Sequence, residues 1–148
     1  MLNLSTPDFT QHPPRSPRVK LGGYVHLPRL LDKARAFAAG NQGGYHYNCP
    51  LDQRFFGFTG IAADAFLQEV KTSKNDTQML AWVAAHTTRQ PWEIADWSAW
   101  LAQLGVGSAE MHEWFAEMIK GNAADREDIT TFFDLLDLDD YVSYGGKG

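Results

Sequence analysis

The sequence contains a single cysteine, Cys49, among its 148 residues. One thiol cannot close an internal disulfide, so a secreted protein held by a disulfide framework is excluded and a reducing cytoplasm is favoured. No run of eighteen apolar residues and no basic, apolar leader is present, so we expect neither a membrane span nor a secretory signal. The length and the 44% hydrophobic content predict one folded domain over residues 1–148.

Positive charge is scarce, and most of it lies in the first half of the chain. The 13 Lys and Arg residues face 18 Asp and Glu residues, which gives a net charge of −5 and disfavours nucleic-acid binding. Residues 1–74 are net basic and residues 75–148 are net acidic. Two interpretations follow: the two halves pair within the fold or across a dimer, or the basic part receives an anionic ligand.

Most of the prolines lie between residues 7 and 28, together with Gly22-Gly23. This composition predicts an extended arm over residues 1–27 that docks on the domain without a helix of its own. From Pro28 to a stop at Gly40 the apolar residues recur at helical spacing, which predicts the first helix. The glycine-rich end at 145–148 is expected to be flexible.

The segment that follows the first helix alternates in character. Tyr45, Tyr47 and Cys49 alternate with His46 and Asn48, and Pro50 suits a turn. This pattern predicts a short β-hairpin near residues 45–58.

Boundary residues and helical periodicity predict the remaining helices. Asn75 with Gln78 forms a capping-box pattern, and the other expected starts or stops are Gly60, Pro91, Gly105, Ser108, Gly121 and Asp128. We therefore predict a mainly α fold: a compact bundle of about six helices with a proline-rich extended arm and one short hairpin.

Tryptophan is abundant, with five residues. Trp82, Trp97, Trp100 and Trp114 share the apolar arcs of their helices and are predicted core residues. Trp92 faces away from the arc of its helix, so we expect it to be exposed, as interface anchors often are.

Four stretches of the chain resemble one known family. They are Pro14–Ala36 (PRSPRVKLGGYVHLPRLLDKARA), Gly44–Phe55 (GYHYNCPLDQRF), Pro91–Trp100 (PWEIADWSAW) and Arg126–Lys147 (REDITTFFDLLDLDDYVSYGGK). They resemble the bacterial family catalogued as domain of unknown function 5069. The resemblance implies membership and a bacterial origin, and it assigns no activity, cofactor or catalytic residue.

The best candidate for a binding site surrounds the first helix. Arginine and lysine one turn apart, next to a helix N-terminus, form a suitable receptor for a carboxylate or phosphate. The predicted ligand-binding residues are Tyr24, His26, Arg29, Asp32, Lys33, His46, Asn48 and Arg54. The alternative is a solvated helix face on which Asp32 pairs with Arg29 or Arg35.

Patterns for catalysis and metal binding are weak. Cys49 and His46 could form a nucleophile and its base, but residues three apart on a strand point to opposite faces, so a small core cysteine is favoured. The five histidines lack zinc-ligand spacing, and the run at Asp137–Asp140 lacks the glycine and glutamate of a calcium loop. We therefore expect no catalytic or metal-ligating residue and no cofactor.

These patterns favour a cytoplasmic binding module for a small anionic metabolite or a protein partner, as a monomer or homodimer, with no membrane or nucleic-acid contact. The alternative is a small cytosolic enzyme whose site lies between the first helix and the 45–54 hairpin.

Overall fold

A computed structural model describes residues 6–105, 109–123 and 125–148. Within these residues the chain forms seven helices and one antiparallel two-stranded sheet, which confirms the predicted mainly α fold. The elements are β1 (Lys20–Leu21), β2 (Tyr24–Val25), α1 (Leu27–Ala39), α2 (Pro50–Thr59), α3 (Ala63–Val70), α4 (Asp76–Ala85), α5 (Pro91–Ala102), α6 (Ala109–Ala123) and α7 (Phe132–Ser143).

The small sheet lies within the proline-rich arm, where no strand was predicted. Gly22 and Gly23 form its turn with φ of 58° and 83°, the left-handed values that a two-residue hairpin turn requires. Ser98 of α5 anchors the hairpin, because its Oγ accepts from the Val25 amide at 3.1 Å and donates to the Gly23 carbonyl at 2.7 Å.

Helix α1 is the centre of the fold. Every residue from Leu27 to Ala36 is buried, the charged ones included, and the apolar ones pack against an aromatic cluster that includes Phe55 and Phe66. The predicted stop is confirmed: Gly40 takes the left-handed conformation, and the amide of Asn41 bonds back to the Ala36 carbonyl at 2.8 Å. Over these ten residues the helix has no solvated face, and only its last turn, from Phe37 to Ala39, is exposed.

The predicted hairpin near residues 45–58 is wrong, because α2 occupies residues 50–59. Pro50 is the first residue of the helix rather than part of a turn, and an Asp52 carboxylate oxygen accepts from the Cys49 amide at 3.3 Å across the helix start. The alternation before Pro50 is an alternation of burial in a loop: Tyr45 and Tyr47 are partly buried, whereas His46 and Asn48 are exposed.

The capping box at Asn75 and the start at Pro91 are confirmed. Helix α5 already ends at Ala102, before the expected stop at Gly105. The predicted stop at Gly121 is wrong, since α6 continues to Ala123. Ser108, the expected start of α6, lies outside the described residues.

The predicted cap of the last helix is also wrong. Thr131 caps α7 by accepting from the Asp134 amide at 3.1 Å, whereas Asp128 lies upstream and pairs with Arg126. Because a capping pair fixes the start of a helix more strongly than a single aspartate, the helix begins at Phe132.

Two of the tryptophan predictions are wrong and two are confirmed. Trp97 is buried and Trp92 is 67% exposed, as expected, but Trp100 and Trp114 each expose nearly half of their surface. Trp82 is partly buried. Among the described residues, no helix combines the length and the apolar character that a membrane crossing needs.

Candidate functional site

The charged side chains of α1 are buried, and each pairs with a group of opposite charge from another element. A buried charge is tolerated when it is paired and hydrogen-bonded. Within one chain, acidic residues of the second half pair with basic residues of the arm and α1 in the contacts Arg15–Asp76, Arg18–Asp134, Arg18–Asp137, Arg29–Asp140 and Arg35–Asp76. The opposite charges of the two halves therefore meet inside the fold.

The buried charges of α1 form three clusters with other elements. The most buried cluster joins α1 to α2, and we call it the His26–Asp52 cluster (His26, Lys33, Cys49, Asp52). Nε2 of His26 lies 2.7 Å from one oxygen of Asp52, and Nζ of Lys33 lies 2.8 Å from the other. The Lys33 ammonium also lies 3.2 Å from Sγ of Cys49. Cys49 is partly exposed, whereas the other three residues are buried, so the cluster reaches the surface at Cys49.

Burial and pairing shift the pKa values in this cluster. Burial raises the pKa of the Asp52 carboxyl, but the hydrogen bond from His26 and the charge of Lys33 outweigh burial and lower the pKa to about 2. Burial lowers the pKa of His26, and the nearby Lys33 and Arg29 act in the same direction. A neutral His26 that donates from Nε2 and an ionised Asp52 fit both shifts.

His26 has two further unusual features. Its backbone is left-handed, with φ of 68°, a conformation that costs free energy in a residue other than glycine. Its Nδ1 is buried and has no hydrogen-bond partner among the described residues. The amide of His26 bonds to the Pro17 carbonyl at 2.8 Å, and its carbonyl accepts from Leu30, so the arm and α1 hold this conformation in place.

A second cluster joins α1 to α7. The two Nη atoms of Arg29 bond to the two oxygens of Asp140 at 2.7 and 3.2 Å, and the Tyr45 hydroxyl donates to the same carboxylate at 2.8 Å. Burial and the bond to Asp140 together raise the pKa of Tyr45. This two-point pairing fixes the position of α7 on α1.

A third cluster joins the arm, α1 and α4. Arg15 bonds to Asp32 through Nε at 3.0 Å and Nη2 at 2.9 Å, and to Asp76 through Nη1 at 2.7 Å. Arg35 lies 2.8 Å from Asp76. Burial raises the pKa of Asp76, but the bonds from Arg15 and Arg35 outweigh it and the pKa is lowered.

This third cluster forms one wall of an open groove of ≈ 710 Å³ between the arm, the end of α1 and the loop from α3 to α4. The volume is in the range of small-molecule sites. Four cationic side chains and two carboxylates line it: Arg15, Arg35, Lys71, Lys74, Asp32 and Asp76.

The structure brings some of the predicted site residues together and separates others. His26 and Lys33 share the His26–Asp52 cluster, whereas Arg29 and Asp32 belong to the other two clusters. The remaining predicted residues lie elsewhere: Tyr24 in the aromatic core, His46 and Asn48 exposed in the loop before α2, and Arg54 exposed on α2 above Trp100. A ligand-binding role for each stays a prediction.

Sequence reasoning missed the carboxylates that complete these clusters. Asp52 was assigned to a turn, although its position three residues after Cys49, with Pro50 between them, is a helix-start pattern that could have indicated it. Asp140 was considered only as part of the acidic run at Asp137–Asp140, and no local signal pairs it with Arg29, 111 residues away.

The described residues contain no group of three or more His, Cys, Asp or Glu side chains arranged to hold a metal ion. Asp137 and Asp140 point their carboxylates to Arg18 and Arg29 instead.

Comparison with known proteins identifies a family but no curated relative. Among curated proteins no match was found. Residues 11–142 match the family described as Domain of unknown function (DUF5069). This match covers the arm from residue 11 onward, α1 to α6 and almost all of α7, and it agrees with the resemblance of the four sequence stretches. The chain therefore belongs to the DUF5069 family.

Proposed function

We propose that this protein binds a small anionic ligand in the groove between the arm, α1 and the loop from α3 to α4. The observation that supports the proposal is the excess of cations over carboxylates in its lining. Lys71 is exposed, and it forms no ion pair with any residue that the structure describes. Lys74 already pairs with Glu69 at 2.6 Å, so a ligand with one negative charge would balance the remaining excess.

The first turn of α4 adds to the positive potential of the groove. Asn75, Asp76 and Thr77 line the groove at the start of this helix. The first N–H groups of a helix have no carbonyl partner within it, and the helix dipole is positive at this end. The cations of the predicted α1 face are less suited, because Arg29 and Lys33 are buried and already hold Asp140 and Asp52.

Thermal unfolding with added inorganic phosphate or citrate tests the proposal. In the parent protein we expect both anions to raise the melting temperature, since a ligand that binds the folded state stabilises it. Lys71→Gln with Lys74→Gln should lose most of this rise. Lys20→Gln with Lys120→Gln removes the same charge at exposed positions outside the groove and should retain it. Equal stabilisation in both double variants would contradict the proposal.

Thiol chemistry at Cys49 is the second candidate, and one observation favours it. The Lys33 ammonium lies 3.2 Å from Sγ at the start of α2, and a cation beside the sulfur is a common feature of nucleophilic cysteines. Such an enzyme would have its site between α1 and residues 45–54.

The rate of alkylation by iodoacetamide separates a nucleophilic Cys49 from a structural one. The folded parent should react faster than Lys33→Met, while the two chains should react equally in urea. Equal rates in the folded proteins would exclude activation by Lys33.

The cellular setting is part of the same proposal. The single cysteine supports a cytoplasmic location, and the family resemblance supports a bacterial source. The exposed Trp92 supports a protein partner in addition to the small ligand of the groove, because an exposed tryptophan is a common interface anchor.

A further inference from the structure

One side of α5 is exposed and largely apolar, and we call it the α5 face (Trp92, Ala95, Asp96, Ala99, Trp100). At 100° per residue these five positions fall within one arc, and all five are exposed. Trp92 exposes 67% and Trp100 46% of its surface. Large exposed aromatic side chains grouped on one helix face are typical of an interaction surface.

The shape of the α5 face suits a second helix. Ala95 and Ala99 are one turn apart between the two tryptophans, so another helix could approach closely along this line. The tryptophans would then pack on either side of the contact and bury a large apolar area.

Two opposite charges flank Trp100. The guanidinium of Arg54, which projects from α2, lies 5.5 Å from the centre of the Trp100 ring. Asp96 lies one helical turn before Trp100. Both side chains belong to exposed residues, and within the described part of the chain neither takes part in an ion pair. The patch therefore presents one positive and one negative group beside one aromatic ring.

We propose that the α5 face binds a second copy of this chain in a twofold-symmetric, antiparallel dimer. A twofold interface uses the same patch on both subunits, so the patch must complement itself. An axis that crosses α5 between Asp96 and Trp100 brings Ala95 of one copy opposite Ala99 of the other. The same axis brings Arg54 and Trp100 of each copy towards Asp96 of the other.

Charge complementarity favours a second copy over an unrelated partner. A partner with a negatively charged surface would attract Arg54 but repel Asp96, and a positively charged surface would do the reverse. In the twofold arrangement Arg54 of each copy pairs with Asp96 of the other copy, so the interface contains two such ion pairs. The small area of one helix face and its neighbour predicts a dimer of modest affinity, which forms as the protein concentration rises.

Sedimentation velocity over a range of concentrations tests the dimer. The parent should shift from the mass of one chain to that of two. Arg54→Asp places two carboxylates together and Asp96→Arg places two guanidinium groups together, so each variant should weaken the dimer at least about tenfold. An equimolar mixture of these two variants restores both opposite-charge contacts, and it should form a heterodimer. The double variant should form a homodimer for the same reason.

Matched controls separate this pairing from a general charge effect. Lys20→Asp and Glu113→Arg reverse the same charges at exposed positions outside the α5 face, and they should dimerise like the parent. Trp100→Ala should be monomeric because the central ring is lost. A parent that stays monomeric at every concentration overturns the proposal, as does a mixture of Arg54→Asp and Asp96→Arg that remains monomeric.

Discussion

At the scale of single residues, Asp52 connects the first two helices. It is fully buried, and its two oxygens divide between the ring of His26 and the ammonium of Lys33. Removing the charge of Asp52 would leave the Lys33 ammonium buried without its counter-ion. An unpaired buried charge destabilises the folded state more than replacing both partners by apolar residues of similar volume would. This residue therefore stabilises the folded state through the groups around it.

We predict that Asp52→Asn lowers the free energy of unfolding by about 3–5 kcal/mol, measured by urea denaturation. The matched control is Asp128→Asn, because Asp128 is exposed and its pairing with Arg126 lies at the surface. That substitution should change stability by less than about 1 kcal/mol. Equal effects of the two substitutions would show that burial does not strengthen the Asp52 interactions.

The residue scale is also where sequence reasoning was least complete. His26, Arg29 and Lys33 were selected because their side chains can bind anions, and two of them do contact carboxylates in ion pairs. Those carboxylates come from other helices, Asp52 and Asp140. Helical periodicity fixes which side of a helix a residue occupies, but it does not show whether another element covers that side.

At the scale of elements, α1 and α2 differ in how well local signals defined them. Pro28 and Gly40 mark the ends of α1, and both signals act as expected. In α2, Pro50 was interpreted as a turn residue because Tyr45 and Tyr47 alternate with polar residues, and that alternation reflects burial in a loop. Glycine at position 57 weakened the predicted second strand of the hairpin, because glycine is a poor strand residue, but it did not by itself indicate a helix.

Substitutions of two glycines test the backbone conformations assigned to α1 and α2. Gly57 lies inside α2 and Gly40 ends α1 with φ of 74°, and a Cβ added at either would meet nothing within 4 Å. We predict that Gly57→Ala raises the free energy of unfolding by up to about 1 kcal/mol, whereas Gly40→Ala lowers it by about 1 kcal/mol. Urea denaturation measures both. Changes of the same sign would contradict the assigned backbone conformations.

At the scale of the whole molecule, acidic and basic segments that are far apart in sequence are joined. The uneven charge of the two halves indicated this pairing and left open whether it occurs within one chain. The contacts of Arg18 with Asp134 and Asp137, and of Arg29 with Asp140, join the arm and α1 to α7 of the same chain. The charge distribution thus predicted the association, but the individual pairs required the structure.

Acid should destabilise this arrangement in two stages. His26 has a lowered pKa in the folded state, so below about pH 6.5 the unfolded chain binds a proton more readily and stability falls as pH falls. Asp52, with a folded pKa of about 2, contributes stability above its unfolded pKa, and this contribution is lost as pH falls from about 4 towards 2.

Urea unfolding at pH 7.5, 5.5 and 3.5 measures this dependence. We predict a fall in the free energy of unfolding at each step, with a combined loss from these two groups of a few kcal/mol by the lowest pH. His112→Gln removes an exposed histidine and should retain the same profile. A constant stability between pH 7.5 and 5.5 would contradict a neutral, buried His26.

The pairing of Arg29 with Asp140 has a consequence for how the chain reaches its folded state. The two residues are 111 positions apart, so a ribosome must have added α7 before the guanidinium can meet its carboxylate. Until then α1, the central helix, would carry an unneutralised charge into the core, and closing so long a loop is slow. Burial of the first helix is therefore complete only after α7 has been synthesised and has packed against it.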